Sequence, residues 1–394
     1  MRDVYIVDYL RTAFSRSRPN EPSRDYFNSL RMDEAISMLL KEMVKKNKID
    51  PLRIGDVITG CALQADENWL YGGRHPIFLA NLPVEVPAMA VDRACSSSMV
   101  AAAIGSWEIM TGNSDIVFAG GMEHMTHVPL NNNPHVAPNY KLLVRPEYMK
   151  YQMNIGYSMG LTAEELAKVS GITKDEMDEF SYRSHKLAAK ALEEGYFKGE
   201  ILPIKVEYNG QMVTVDKDQS IRSDTTLEQI KNLPPAFKPD GVITAGNSSP
   251  LNAGASMLML MDDKTMDEYS LKPLARVVSF GWAGVHPAIM GEGPVPASRK
   301  ALERAKLKVE DIDYWEINEA FAVVPLNAIK KLNIDINRVN IHGGGISIGH
   351  PLGASGARIT GTLARILKEK NGHYGVATLC VGGGQGYATV IERV

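Results

Sequence analysis

The chain has little cysteine, no excess of positive charge and no apolar run long enough to cross a bilayer. Three cysteines in 394 residues, Cys61, Cys95 and Cys380, cannot build a disulfide framework, and none forms a CxxC pair with metal-site spacing. No metal is expected, and any cysteine that matters should matter as a thiol. Lys and Arg total 43 against 46 acidic residues, a net charge of -3, so no basic field draws nucleic acid or an anionic membrane. Apolar stretches such as "MVAAAI" at 99–104 are far short of the roughly 18 residues of a membrane span. The strand-like "VYIVDYLRT" begins at Val4, so no charged-then-apolar leader is expected there. A cytoplasmic protein acting on small molecules or proteins is the expectation, with two or three units at roughly 150 residues each.

What is present is a pattern that occurs twice. From Val91 the sequence reads "VDRACSSSMVAAAIGSWEIMTGNSDIVFAGG": a loop of small residues, a helix, a Gly or Asn stop, an apolar strand and a glycine turn. From Val339 the same order returns in "VNIHGGGISIGHPLGASGARITGTLARILKEKNGHYGVATLCVGGGQG". Two copies of one unit, with strands alternating with helices, predict a duplicated α/β core and a mostly parallel sheet covered by helices. Residues 122–246 differ in character. They open on the polar, proline-bearing "HVPLNNNPHVAPNYKLLVRPEY", which is no core strand. Thr162 before Glu165 and Thr173 before Glu176 read as capping boxes, the second helix ending at Gly195. A hairpin turns at Asn209-Gly210. The expected division is 1–121, completed by 247–270, then an inserted 122–246, then 271–394.

The chemistry-bearing residues fall in the small-residue loops. Cys95 precedes a helix start, where free N–H groups and the helix dipole favour a thiolate; the competing reading is a buried filler. His350, between glycine turns ahead of the second helix, could serve as its base. Cys380 ends a strand just before a glycine run with free amides. Brought together from equivalent ends of a duplicated core, these three would suit making or breaking a carbon–carbon bond next to a thioester. Asn318 and Glu319 begin another helix, the Asn as an N-cap or as a polar group positioning a water or an oxyanion. The "AGNSSPLNAGA" turn could meet an extended thioester arm, Met159 and Met290 could wall a pocket, and Cys61 reads as structural.

Five motifs in order, "VDRACSSSM", "AGNSSPLNAGA", "INEAFA", "GGGISIGHPLGASGAR" and "CVGGGQG", resemble those of a thiolase over essentially the whole chain. "GGMEHMTHVP", "MGLTAEELA" and "IMGEGPVPAS" look most like the degradative 3-ketoacyl-CoA thiolases of bacterial fatty-acid oxidation, while "IHGGGISIGHP" is also similar to acetoacetyl-CoA thiolases. The resemblance implies a five-layer α-β-α-β-α fold with an inserted loop domain for coenzyme A, which is a substrate, no cofactor being tightly bound. It implies Cys95 as nucleophile, His350 as its base, Cys380 as the second acid/base, and Asn318 as holder of a water at the enolate oxygen. The N–H groups of Cys95 and Gly382 would form the oxyanion hole. Ser249 would touch the pantetheine arm, Arg222 the nucleotide end, and Met159 and Met290 the acyl chain. It further implies a homodimer or homotetramer and a hydratase/dehydrogenase partner subunit. Two positions depart from the family pattern: Ser96 in place of Gly, expected to crowd or hydrogen-bond into the pocket and alter chain-length preference, and Ala253 in place of Asp. The rivals are a condensing synthase of the same fold, against which "CVGGGQG" speaks, and a non-catalytic thioester-binding or scaffold protein, which would have lost its nucleophile or base.

Overall fold

The computed structural model describes residues 1–130 and 133–394; Asn131 and Asn132, part of the stretch read above as polar and strand-free, lie outside the described residues. Among the described residues there are twelve strands: β1 (Tyr5–Arg11), β2 (Ser15–Arg16), β3 (Ile54–Gly60), β4 (Ala88–Val91), β5 (Ile116–His124), β6 (Ile204–Tyr208), β7 (Gln211–Val215), β8 (Asn252–Met261), β9 (Ala275–Gly284), β10 (Tyr314–Ile317), β11 (Tyr374–Val381) and β12 (Gln385–Glu392). All but β6 and β7 form one ladder, in the order β10-β11-β12-β9-β1-β8-β5-β3-β4, with β2 added on β8. The ladder is two matching halves, β1-β8-β5-β3 and β9-β12-β11-β10, that meet where Tyr5 pairs with Arg276 and Ile6 with Ala275. Only β3–β4, β3–β5 and β10–β11 run parallel, so the mostly parallel sheet expected from strand–helix alternation is instead mixed. The reason is local: the glycine turn after Val381 returns the chain directly as β12, and a reversal that tight can only be antiparallel.

Alternation along the strands sorts the interior into layers. Val117 and Ala119 of β5, with Leu258 and Leu260 of β8, share a core with Leu379 and Val381 of β11 and Tyr387 of β12. Between them lie two helices, Ser97–Thr111 and Ser355–Lys370, which supply Met99, Ala103, Ala357 and Leu363 to the same core. The opposite faces carry separate outer cores. Phe118 and Met259 pack on helix Met32–Lys46 through Ile36 and Leu40, and Val376 and Val390 pack on Ala301 and Leu332 of two further helices. The result is helix, sheet, helix pair, sheet, helix: the five-layer duplicated arrangement. Gly112 and Asn371 end the paired central helices in left-handed conformation, the stops read from sequence.

The segment between β5 and β8 packs as helices Met159–Ser170 and Lys174–Glu193 and the β6–β7 hairpin, whose turn residues Asn209 and Gly210 have φ of 52° and 75°. Thr173 and Glu176 form the expected capping box, and Gly195 follows the helix at φ 77°. Thr162 does not cap: its helix starts at Met159 behind Ser158, and the Thr162 hydroxyl bonds back to the Met159 carbonyl. Arg11 ties the segment to β1. Fully buried, it meets Glu200 and Asp218 at 2.7 Å each. Among the described residues no helix is long and apolar enough to cross a membrane.

Candidate active site

The two central helices start side by side, and that contact assembles the site. A Cβ on Gly356 would lie 2.5 Å from the Met99 backbone nitrogen, so glycine permits the close approach. The Ala357 N–H donates to Ser98 Oγ at 2.9 Å across it. Just before these helices stand Cys95 and His350. Cys95 sits in a turn, Ala94–Ser96, entered through Ala94 at φ 43°, a left-handed conformation that costs a residue with a Cβ of order 1–3 kcal/mol and is characteristically kept where it aims a functional group.

Cys95 is 7% exposed and opens on a cavity of about 390 Å³. Burial pushes its pKa up to about 11, outweighing a hydrogen bond from the Gly382 backbone that pulls the other way. The thiolate expected from the helix start is therefore not the resting form: desolvation in a dry turn exceeds what the dipole returns. Cys380 is fully buried on β11, its pKa raised first by burial and then by Cys95, which puts the thiols within electrostatic reach of each other. His350 lines the cavity at 3% exposure, and burial, then Arg358, lowers its pKa to about 3. At neutral pH, thiol and imidazole are both uncharged.

Hydrogen bonding selects the imidazole tautomer. His350 Nδ1 lies 2.5 Å from Ser355 Oγ, whose own proton goes to the Pro351 carbonyl at 2.8 Å. Nδ1 must then be the donor, which leaves Nε2 as the free base. The Asn318 amide nitrogen is 3.3 Å from Nε2 and 3.4 Å from Nδ1, so it meets the ring and not one lone pair, and Asn318 Oδ1 is buried without a partner. Asn318 is not an N-cap. It extends β10 by donating its N–H to Thr378 O, and the next helix begins at Val323. Glu319 is buried beside it, accepting from Ser184 Oγ, Asn340 Nδ2 and the Ile346 N–H, and so anchors the glycine loop that leads to His350.

Gly382, Met159, Met290 and Ser249 line the same cavity. A Cβ on Gly382 would be 3.8 Å from Met159 Sδ and from Ala94 Cβ, which sets the glycine turn against both. Ser249 and its neighbours Ser248–Leu251 also line a second, larger cavity of about 600 Å³ that holds Arg222. The two spaces thus share a wall. Ser96 does not crowd the first: it is fully buried and its hydroxyl donates to the Arg93 carbonyl. Ala253 lies inside β8, paired with Ser15 and His124 and packed in the outer core, and it lines neither cavity. Cys61 is buried with Sγ 3.5 Å from Glu123 Oε1.

Sequence reading missed the residues that hold the site in place. Asn252 Oδ1 accepts the His350 N–H at 2.8 Å while its Nδ2 donates to the Ser15 carbonyl. Glu123 gathers the N–H groups of Ala62, Leu63 and Gly353, joining a cavity wall of the first half to the His350 loop of the second. Both motifs are visible, "PLNAGA" and "GGMEH", but no local spacing signals a partner 60 or more residues away.

The profile described as thiolase, N-terminal domain matches residues 4–264, and that described as thiolase, C-terminal domain matches 271–393. The chain belongs to the thiolase family, and with that to the acyltransferases. Among relatives, a 3-ketoacyl-CoA thiolase of Marinobacter nauticus is 44% identical over 100% of this chain and 99% of its own. One of Saccharophagus degradans with the same name is 43% identical over the same shares. The crystal structure of the Bacillus anthracis acetyl-CoA acetyltransferase matches with TM-score 0.86 and 37% identity, over 100% of this chain and 99% of that one.

Proposed function

We propose that the protein is a 3-ketoacyl-CoA thiolase that uses coenzyme A to cleave 3-ketoacyl-CoA into acetyl-CoA and a shortened acyl-CoA, as in fatty-acid β-oxidation. The observation that carries this reading is one cavity on which Cys95, His350 and Gly382 converge with the apolar Met159 and Met290, backed by the named relatives. The Cys95 sulfur attacks the 3-keto carbon as its proton passes to His350 Nε2. The N–H groups of Cys95 and Gly382 hold the oxyanion, the charge-stabilising role expected of preorganised backbone donors. Collapse breaks the C2–C3 bond. The acetyl-CoA enolate, its oxygen held by His350 and an Asn318-bound water, takes a proton from Cys380, and acyl-Cys95 remains. Cys380 then takes the proton of incoming coenzyme A, whose sulfur displaces Cys95 from the acyl group, and the departing Cys95 thiolate takes back its proton from His350 Nε2. Uncharged resting groups suit this sequence, because no standing ion pair has to be broken before the substrate enters.

In this reading 1–121 with 247–270, and 271–394, are the core halves, and 122–246 binds coenzyme A, Ser249 meeting the pantetheine and Arg222 the nucleotide end. The enzyme would be a cytoplasmic homodimer or homotetramer, and its family resemblance adds a hydratase/dehydrogenase subunit as a partner to test for. A short-chain acetoacetyl-CoA thiolase is the second reading, favoured by the Bacillus anthracis neighbour. Coenzyme-A-dependent cleavage of 3-ketoacyl-CoAs from four to sixteen carbons separates them: turnover of the long members supports the first, turnover of acetoacetyl-CoA alone the second, and none of either removes both.

A further inference from the structure

The larger cavity holds a charge that the protein does not neutralise. Arg16 lines it from β2, and only its backbone N–H is engaged among the described residues, donating to Gln219 Oε1 at 2.8 Å. The fully buried arginines are treated differently: Arg11 meets Glu200 and Asp218, and Arg358 meets Glu316 at 3.0 Å. A half-buried guanidinium without a carboxylate is costly unless something else supplies the negative charge. Its surroundings add to the cost. Burial first, then Arg18, Arg222 and Arg24, lower its pKa to about 10, so it stays charged at neutral pH among like charges. Arg222 lines the same cavity, and among the described residues the lining's one carboxylate is Asp224.

The backbone around Arg16 is built to hold it there. Gln219 Oε1 also accepts from Ser15 Oγ, and the Gln219 N–H donates to Phe14 O. The chain on either side of Gln219 is fastened by Arg11 to Asp218 and by Asn252 to Ser220. This strap brings Arg222 to the cavity that Arg16 enters, across more than two hundred residues of sequence. The cavity shares the Ser248–Leu251 wall with that of Cys95, so one extended thiol can have its sulfur end in the first and an anionic end in the second.

We propose that Arg16 is a specificity-determining residue that, with Arg222, binds phosphate groups at the nucleotide end of coenzyme A and lets the enzyme prefer it to thiols lacking them. The proposal rests on the coenzyme A reading above. A guanidinium fork matches phosphate geometry and forms charge-assisted hydrogen bonds.

The test varies the acceptor thiol in 3-ketoacyl-CoA cleavage: coenzyme A, 3′-dephospho-coenzyme A and pantetheine, with the wild type, Arg16→Gln and Arg16→Lys. Arg16→Gln should raise KM for coenzyme A roughly 10- to 100-fold, with kcat within about twofold and KM for pantetheine unmoved; Arg16→Lys should recover part of the loss. If the penalty is absent with the dephospho acceptor, the 3′-phosphate is the partner; if it persists there, the diphosphate is. Both outcomes support the proposal. An unchanged KM for coenzyme A, or an equal rise for pantetheine, overturns it. Should the wild type cleave no 3-ketoacyl-CoA, the functional reading fails by itself. Calorimetric binding of coenzyme A against pantetheine to the same three proteins then decides the role of Arg16, by the presence or absence of a phosphate-dependent loss.

Discussion

In the first half of the core, the approach to the central helix is short. β4 ends at Val91, and the chain reaches Cys95 through the strained Ala94. In the second half the approach is long: from Val339 the chain runs through Gly343, Gly344, Gly345 and Gly349 before His350 and the helix at Ser355. Strand order and helix placement match between the halves, yet one presents a thiol from a tight turn and the other an imidazole from a glycine-rich loop. Duplication explains why two helix starts face each other. Divergence of the two approach loops explains why they present different groups. The long loop needs outside support, and Asn252, Glu123 and Glu319 provide it; the short turn is held mainly by its own bonds, Ser96 and Ser97 back to Arg93 and Ala94.

The comparison breaks most visibly at the short turn. Cys95→Ser should lower thiolysis by at least on the order of 10³-fold, while thioester binding, read by calorimetry, persists. Undiminished turnover in that variant would take the nucleophile away from the first half. A smaller effect is expected at the long loop's support. Asn252→Ala leaves the buried His350 N–H without an acceptor and should reduce kcat about 10- to 100-fold through a misplaced imidazole, with little change in KM. Asn252→Asp, which keeps the acceptor, should recover part of the rate. An Asn252→Ala enzyme with wild-type kcat would show that the glycine loop holds itself.

Much of this was legible in the sequence because it is local. The repeated loop–helix–stop–strand order, the Thr173 capping box and the Asn209-Gly210 turn depend on residues a few positions apart, and they appear as read. The errors arose where a distant neighbour or the solvent decides. Thr162 has capping-box spacing, but the helix begins earlier, at Met159. Asn318 looks like an N-cap, but β11 extends the strand through it. A helix start argues for a Cys95 thiolate, but the second half closes over it and burial wins. Ser96 was expected in the pocket, but a backbone carbonyl turns its hydroxyl away. Arg16 carries no mark in the sequence: its neighbours in space come from β8 and from the strap around Gln219, and nothing near it along the chain signals a cavity.

The two halves should also limit stability at opposite ends of the pH scale, a shift of melting temperature smaller than either loss of rate. The folded protein holds His350 near 3, below its ordinary value of 6.5. Unfolded chains therefore take up a proton at this position first as pH falls, so the stability it contributes is complete above about 6.5 and is lost on the way down to about 3. Cys95 is shifted the other way, from 9.0 to about 11. Its contribution is complete below about 9 and is lost as pH rises through 11, with Cys380, raised by the same burial, adding to that arm. Melting temperatures recorded across pH should show a flatter acid arm in His350→Gln and a flatter alkaline arm in Cys95→Ser, each variant leaving the opposite arm as in the wild type. An acid arm unchanged by His350→Gln would mean that the imidazole titrates near its ordinary value of 6.5, and the lowering by burial would have to be given up.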